Sequence, residues 1–97
     1  MTTYLITRHP GAIEWFKQQG IAFDQHFTHL QNINQLQVGD TVIGTLPINL
    51  VHQLNQLGVS YLHLSLQIPA SLRGQELSAE QLQQCQAQVE EFWVSKN

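Results

Sequence analysis

Two short, almost wholly apolar runs, Tyr4-Leu5-Ile6 and Val42-Ile43, are each followed within a few residues by a proline and then by apolar positions at helical spacing. A continuous apolar centre of this length suits a strand buried on both faces of a sheet. The first strand is predicted over 3–8 and ends at His9-Pro10-Gly11. Over 12–19, Ala12, Ile13 and Phe16 form one apolar helical face, with Gly20 as its C-terminal stop. Trp15 falls beside that face, either at the core margin or in a subunit contact. Phe23, Phe27 and Leu30 among polar residues give a second strand over 22–30, and polar residues 31–37 lead to a turn at Val38-Gly39-Asp40. The third strand covers 41–45. Pro47 then sits at a first helical position, Leu50, Val51, Leu54 and Leu57 follow at helical spacing, and Gly58 closes the helix.

From 59 to 66 the pattern alternates, with Tyr61, His63 and Ser65 on one face and Leu62, Leu64 and Leu66 on the other. Pro69 breaks this strand, and residues 70–76 form a loop carrying Arg73 and Gly74. Ser78 stands three residues before Gln81, the spacing of a capping box, so a long last helix is predicted, with Leu82, Cys85, Val89 and Phe92 on its apolar face and Trp93 beside it. The order β-α-β-β-α-β-α, without internal repeat, predicts one α/β domain over 1–97, a compact Rossmann-like three-layer sandwich with a mostly parallel sheet and right-handed crossovers. The first and third strands are expected side by side, with the second and fourth outside them.

Composition narrows the function. A chain of 97 residues, 42% hydrophobic, has a modest core that a second copy would help stabilise. The single Cys85 cannot form an internal disulfide, and no apolar run reaches the length of a secretory signal or a membrane span, so a cytoplasmic protein without membrane contact is expected. Four Lys and Arg against seven Asp and Glu leave a net charge of −3, which gives no footprint for duplex nucleic acid. A compact anion remains open, because a few fixed donors can hold one.

The loops 8–11 and 44–47 both fall at the carboxyl edge of the central strands, and each begins a helix whose first N–H groups lack intrahelical partners. An anion would fit between them. Gly11 and Gly44 would let backbone approach a ligand closely, Thr7 and Thr45 offer hydroxyls, Asn49 offers an amide, and Arg8 a forked donor suited to phosphate. His9 is the leading acid/base candidate, because an imidazole titrates near neutral pH. His63 is mid-strand and reads as a packed or interface residue, His26 and His29 fall on opposite faces of a strand, and His52 is mid-helix. No Cys or carboxylate cluster joins them, so no metal is expected. With neither a phosphate-loop Lys, a dinucleotide-binding glycine fingerprint nor a nucleophile elbow, no cofactor is expected either. Cys85, on an apolar helical face, reads as inert core.

Arg8-His9-Pro10-Gly11-Ala12, the block from Gly39 to Pro47, Asn49-Leu50, Tyr61-Leu62-His63-Leu64-Ser65, Arg73-Gly74 and Glu76-Leu77-Ser78-Ala79 together resemble a family of small CRISPR-associated accessory proteins of type III systems. The likeness runs nearly the full length and is weakest between Gln18 and Gln37. It implies a CARF-like fold, a homodimer, and a cyclic oligoadenylate ligand, above all cyclic tetra-adenylate. It further implies ring nuclease activity, in which the ligand's own 2′-hydroxyl attacks the adjacent phosphorus without metal. On that analogy Arg8 would stabilise charge on the scissile phosphate and His9 would move a proton. Thr45, Asn49 and Ser65 would hold ribose or phosphate, and Arg73 would close the site from its loop. Two other functions compete: a binding protein that sequesters the messenger uncut, and an interaction module whose Trp15 and Trp93 mark a partner surface.

Overall fold

The computed structural model describes residues 1–7, 9–30, 33–75 and 77–95. Five strands, β1 (Thr3–Ile6), β2 (Gln25–Phe27), β3 (Thr41–Gly44), β4 (Ser60–Ser65) and β5 (Gln88–Phe92), form one sheet in the order β2-β1-β3-β4-β5. The first four are parallel, with β1 and β3 central as the crossovers require, and β5 runs antiparallel to β4. Three helices cover the sheet: α1 (Pro10–Gln18), α2 (Ile48–Gln56) and α3 (Ala79–Gln84).

Side-chain alternation explains the continuous apolar runs, because neighbouring residues of one strand feed opposite cores. On one face Leu5, Ile43 and Leu64 pack with Ala12, Trp15 and Phe16 of α1 and Leu82 of α3. On the other, Ile6, Val42 and Tyr61 pack with Val51 and Leu54 of α2. Trp15 is therefore core and not a partner surface. Its ring meets Phe16 edge to face at 5.1 Å and its indole N–H donates to Gln83 Oε1 at 3.0 Å. Cys85 is buried in the same core. The Tyr61 face of β4 is covered by α2, so the half-polar alternation there marks a buried tyrosine instead of a wet face.

The chain departs from expectation at both sheet edges. β2 is three residues long and exposed throughout. The last helix is short: it keeps the expected capping box at Ser78 and Gln81 but ends at Gln84, and Val89 and Phe92 belong to β5. All three helices end alike. The N–H two residues past each C-cap bonds back to the third-last helical carbonyl, in the pairs Ile21 to Phe16, Val59 to Leu54 and Ala87 to Leu82. This ending needs a left-handed residue, which is Gly20, Gly58 and, in the third case, Gln86 at φ 58°. With no glycine at that position, helical spacing could be read straight through it into β5.

At the opposite edge of the sheet from the carboxyl strand ends, buried Asp40 ties the first residues to the turn before β3. Its Oδ2 accepts from Gln37 N–H and its Oδ1 from Thr2 N–H, both at 2.9 Å. The Gln37 bond and then the Thr2 bond hold the Asp40 carboxyl below its usual pKa, against the opposing effect of burial.

Two stability predictions follow from these contacts. Gln86→Gly removes the strain of a left-handed side-chain-bearing residue while loosening the unfolded chain, so it should stabilise the protein by about 0.5–1 kcal/mol, read as a higher midpoint in thermal unfolding. Asp40 has a depressed folded pKa, so its contribution is whole above the unfolded carboxylate pKa of about 3.9 and is lost as pH falls through the folded value. Asp40→Asn should therefore lower the melting temperature at pH 7 and flatten its fall between pH 5 and pH 2. A mutant curve parallel to that of the wild type would refute this linkage.

Candidate functional site

The carboxyl ends of the parallel strands open onto one cavity of about 660 Å³, within the range of small-ligand sites. Its walls come largely from residues just after each strand: Thr7 and His9 follow β1, Thr28 and His29 follow β2, Thr45 and Leu46 follow β3. The segment after β4 supplies Ile68, Leu72, Arg73, Gly74 and Gln75. After β1 the chain passes to β2 on one side, and after β3 it passes to β4 on the other. The cavity therefore lies where successive connections diverge.

Thr7 anchors one wall with every polar group engaged. Its N–H donates to the Phe27 carbonyl at 3.0 Å, its carbonyl accepts from His26 Nε2 at 3.1 Å, and its Oγ1 accepts from His9 N–H at 3.1 Å. His9 is the N-cap of α1, and its Nδ1 accepts from Leu77 N–H at 3.2 Å. That bond fixes the neutral tautomer with the proton on Nε2, so His9 meets a ligand as a donor.

A second hub sets the opposite wall. The buried Tyr61 hydroxyl accepts from Leu46 N–H at 2.8 Å, donates to the Gly44 carbonyl at 2.9 Å, and lies 2.7 Å from His63 Nδ1. With its one proton on Gly44, the hydroxyl accepts from His63, which places the His63 proton on Nδ1. Burial pushes the Tyr61 pKa up, opposed by the Leu46 bond, so the phenol stays protonated and holds the β3–α2 connection in place.

The first helix start does not do what its spacing predicts. Pro10 has no N–H, Gly11 N–H donates to the Leu77 carbonyl at 3.2 Å, and Ala12 N–H donates to the His9 carbonyl at 3.0 Å. The expected cradle between two helix N-termini therefore loses the α1 amides to the chain itself. Gly11 is required for a different close approach: a Cβ there would lie 2.2 Å from the Ser78 carbonyl carbon and 2.3 Å from the Leu77 oxygen. At α2 the N-cap is Pro47, one residue earlier in role than expected. The first intrahelical bond is made by Leu50 N–H, so the Ile48 and Asn49 N–H groups precede it.

Of the residues singled out in the sequence, Thr7, His9, Thr45 and Arg73 line the cavity. Gly11, Gly44, Asn49 and Ser65 do not. Gly44 is buried, where a Cβ would lie 2.7 Å from the Ile6 carbonyl oxygen; Asn49 is exposed on α2; Ser65 pairs with Gln88 in the sheet. Arg8 lies outside the described residues. Thr28, His29 and Gln75 join the site unannounced. The available signal was positional: in a parallel sheet the residue after each strand reaches the same edge, and Thr7, Thr28 and Thr45 all occupy that position. Reading β2 through to Leu30 hid Thr28 and His29 inside a strand.

Although acids outnumber bases in the chain, no Asp or Glu is among the described residues lining the cavity, which hold Arg73 and the imidazoles of His9 and His29. Among the described residues no group of three or more His, Cys, Asp or Glu side chains is gathered as a metal site requires. No described helix is long and apolar enough to cross a membrane.

Residues 4–95 match the family described as "Putative CRISPR-associated protein (Cas_VVA1548)". The chain belongs to that family. The match takes in all of the sheet but its first residue, Thr3, and all the described residues that line the cavity. No curated protein and no solved structure matches the chain.

Gly11 offers a test of how the site is supported. Gly11→Ala should destabilise the protein by roughly 2 kcal/mol or more, because the new methyl meets backbone that cannot rotate away. Chemical denaturation against the wild type measures it, and a neutral substitution would show that the 77–79 segment does not press on α1.

Proposed function

We propose that this CRISPR-associated protein is a ring nuclease of type III antiviral defence, which binds a cyclic oligoadenylate, above all cyclic tetra-adenylate, and linearises it so that signalling stops. The observation that carries this reading is the cavity at the sheet's carboxyl edge, whose described lining holds Arg73, His9, His29 and three threonines and no Asp or Glu, in a net acidic protein. A compact polyanion is the ligand such a site favours. A homodimer would set two of these cavities against a two-fold symmetric ring.

In this mechanism the ribose 2′-oxygen attacks the adjacent phosphorus, the bond from phosphorus to the 5′-oxygen breaks, and the products are a 2′,3′-cyclic phosphate and a 5′-hydroxyl. His29 on the same cavity takes the proton from the 2′-hydroxyl, and His9 donates a hydrogen bond from Nε2 to the departing 5′-oxygen, to which that proton passes through water. Arg73 offsets charge on the phosphoryl oxygens, the role the family resemblance implies for Arg8 as well.

The test is incubation of the protein in excess over cyclic tetra-adenylate, in chelator, with separation of products. Wild type should yield linear species ending in 2′,3′-cyclic phosphate. His9→Ala should slow single-turnover cleavage by roughly 10²–10⁴-fold while changing Kd only a few-fold, as expected of a group acting in the transition state. Ligand that binds but stays intact would overturn the nuclease in favour of a protein that sequesters the messenger.

A further inference from the structure

Beside the main cavity lies a second, of about 130 Å³, roughly the liquid volume of four waters. This is space for one flat heterocycle, not for a nucleotide. It opens on the α2 face of the β1–β2 edge. In the parallel register Tyr4 stands beside Gln25 and Ile6 beside Phe27, so all four side chains leave the sheet on the same side. The rings of Tyr4 and Phe27 lie 6.2 Å apart and tilted by 30°, giving a nearly continuous aromatic floor. Phe27 is 43% exposed, so part of that floor is open to a ligand.

Two carboxamides border this floor, Gln25 on β2 and Gln35 at the end of the short 3-10 turn Ile33–Gln35. Both are exposed, and among the described residues neither side-chain amide has a hydrogen-bond partner. A carboxamide offers a donor and an acceptor side by side, the pattern that pairs with adenine N7 and its exocyclic amine. The two cavities are also contiguous, since Ile6 and His29 line both. A ligand with its phosphate in the larger cavity can thus place an attached base in the smaller one.

We infer that the Tyr4–Phe27 pocket is a purine-base subsite, in which adenine stacks on the aromatic floor and is read by Gln25 and Gln35. The inference rests on the oligoadenylate reading for the identity of the ligand, but the pocket can be tested alone. Stacking on an aromatic side chain is sequence-tolerant and strong enough to matter for affinity, while the carboxamides supply the preference for adenine.

The full chain is titrated with adenosine, which carries no phosphate, and backbone amide shifts are followed by NMR. Shifts are expected at 25–27 and 33–36, at least fivefold larger than those caused by uridine at equal concentration. They should be lost in Phe27→Ala and weakened in Gln35→Ala, both exposed positions that leave the core intact. Cyclic tetra-adenylate should bind Phe27→Ala roughly tenfold more weakly than the wild type. Adenosine shifts confined to the Thr45 and Arg73 walls, an equal response to uridine, or insensitivity to Phe27→Ala would each overturn the subsite. If cyclic tetra-adenylate fails to bind the wild type while adenosine still shifts these amides in a Phe27-dependent way, the messenger reading falls and the base pocket stands.

Discussion

The structure depends on the parallel pairing of β1 with β3 at the centre of the sheet. Their register sets Ile6 against Gly44, and the approach is so close that any side chain at position 44 would strike the Ile6 carbonyl. Thr7 and Thr45 then leave the sheet side by side at its carboxyl edge. From there the two connections turn to opposite sides, and the gap they leave is the cavity. The same pairing divides the core, because Leu5 and Ile43 face α1 and α3 while Ile6 and Val42 face α2.

Two contacts distant in sequence convert that gap into a defined site. The 77–79 segment lies against the start of α1, occupying the Gly11 amide and pinning His9 through Leu77 N–H. Tyr61, from the neighbouring strand, holds Leu46 and Gly44 and so sets the entry to α2. One helix start is thereby closed and the other left with amides ahead of its first internal bond. The donors that line the cavity are asymmetric: the His9 imidazole and the Thr7 hydroxyl on the β1 side, the Thr45 hydroxyl on the β3 side, and Arg73 from the segment after β4. Absence of carboxylates from the described lining makes this asymmetry favourable to anions throughout.

The edges of the sheet carry a different kind of information. β2 is short and exposed, yet its Phe27 and Gln25 extend the cavity towards a flat, partly apolar recess. β5 carries Glu90 and Glu91 on its outer course, a device that discourages strand addition at an open edge. The chain after β5 turns back along α2, where Val94 N–H donates to Asn55 Oδ1 at 2.7 Å and the Val94 carbonyl accepts from His52 Nδ1 at 3.2 Å. His52 is thus engaged in closing the fold and Trp93 is left exposed.

The sequence by itself determined the α/β class, the order of the first four strands and the edge on which the site lies. Apolar period, proline at helix starts and glycine at helix ends are local signals, and handed crossovers turn them into topology. It also placed Thr7, His9, Thr45 and Arg73, because residues just after a strand or on its following loop must reach that edge. Only the tertiary structure decided that Gly11 and its amide serve the chain's own packing, since that depends on a carbonyl sixty-six residues away. Only it revealed β5, because a left-handed Gln86 carries no compositional mark, and Thr28 and His29, because an edge strand with one partner ends wherever its hydrogen bonds end. The division is physical: periodicity and caps are written in neighbouring residues, whereas the fate of a particular amide or ring is set by what folding brings against it.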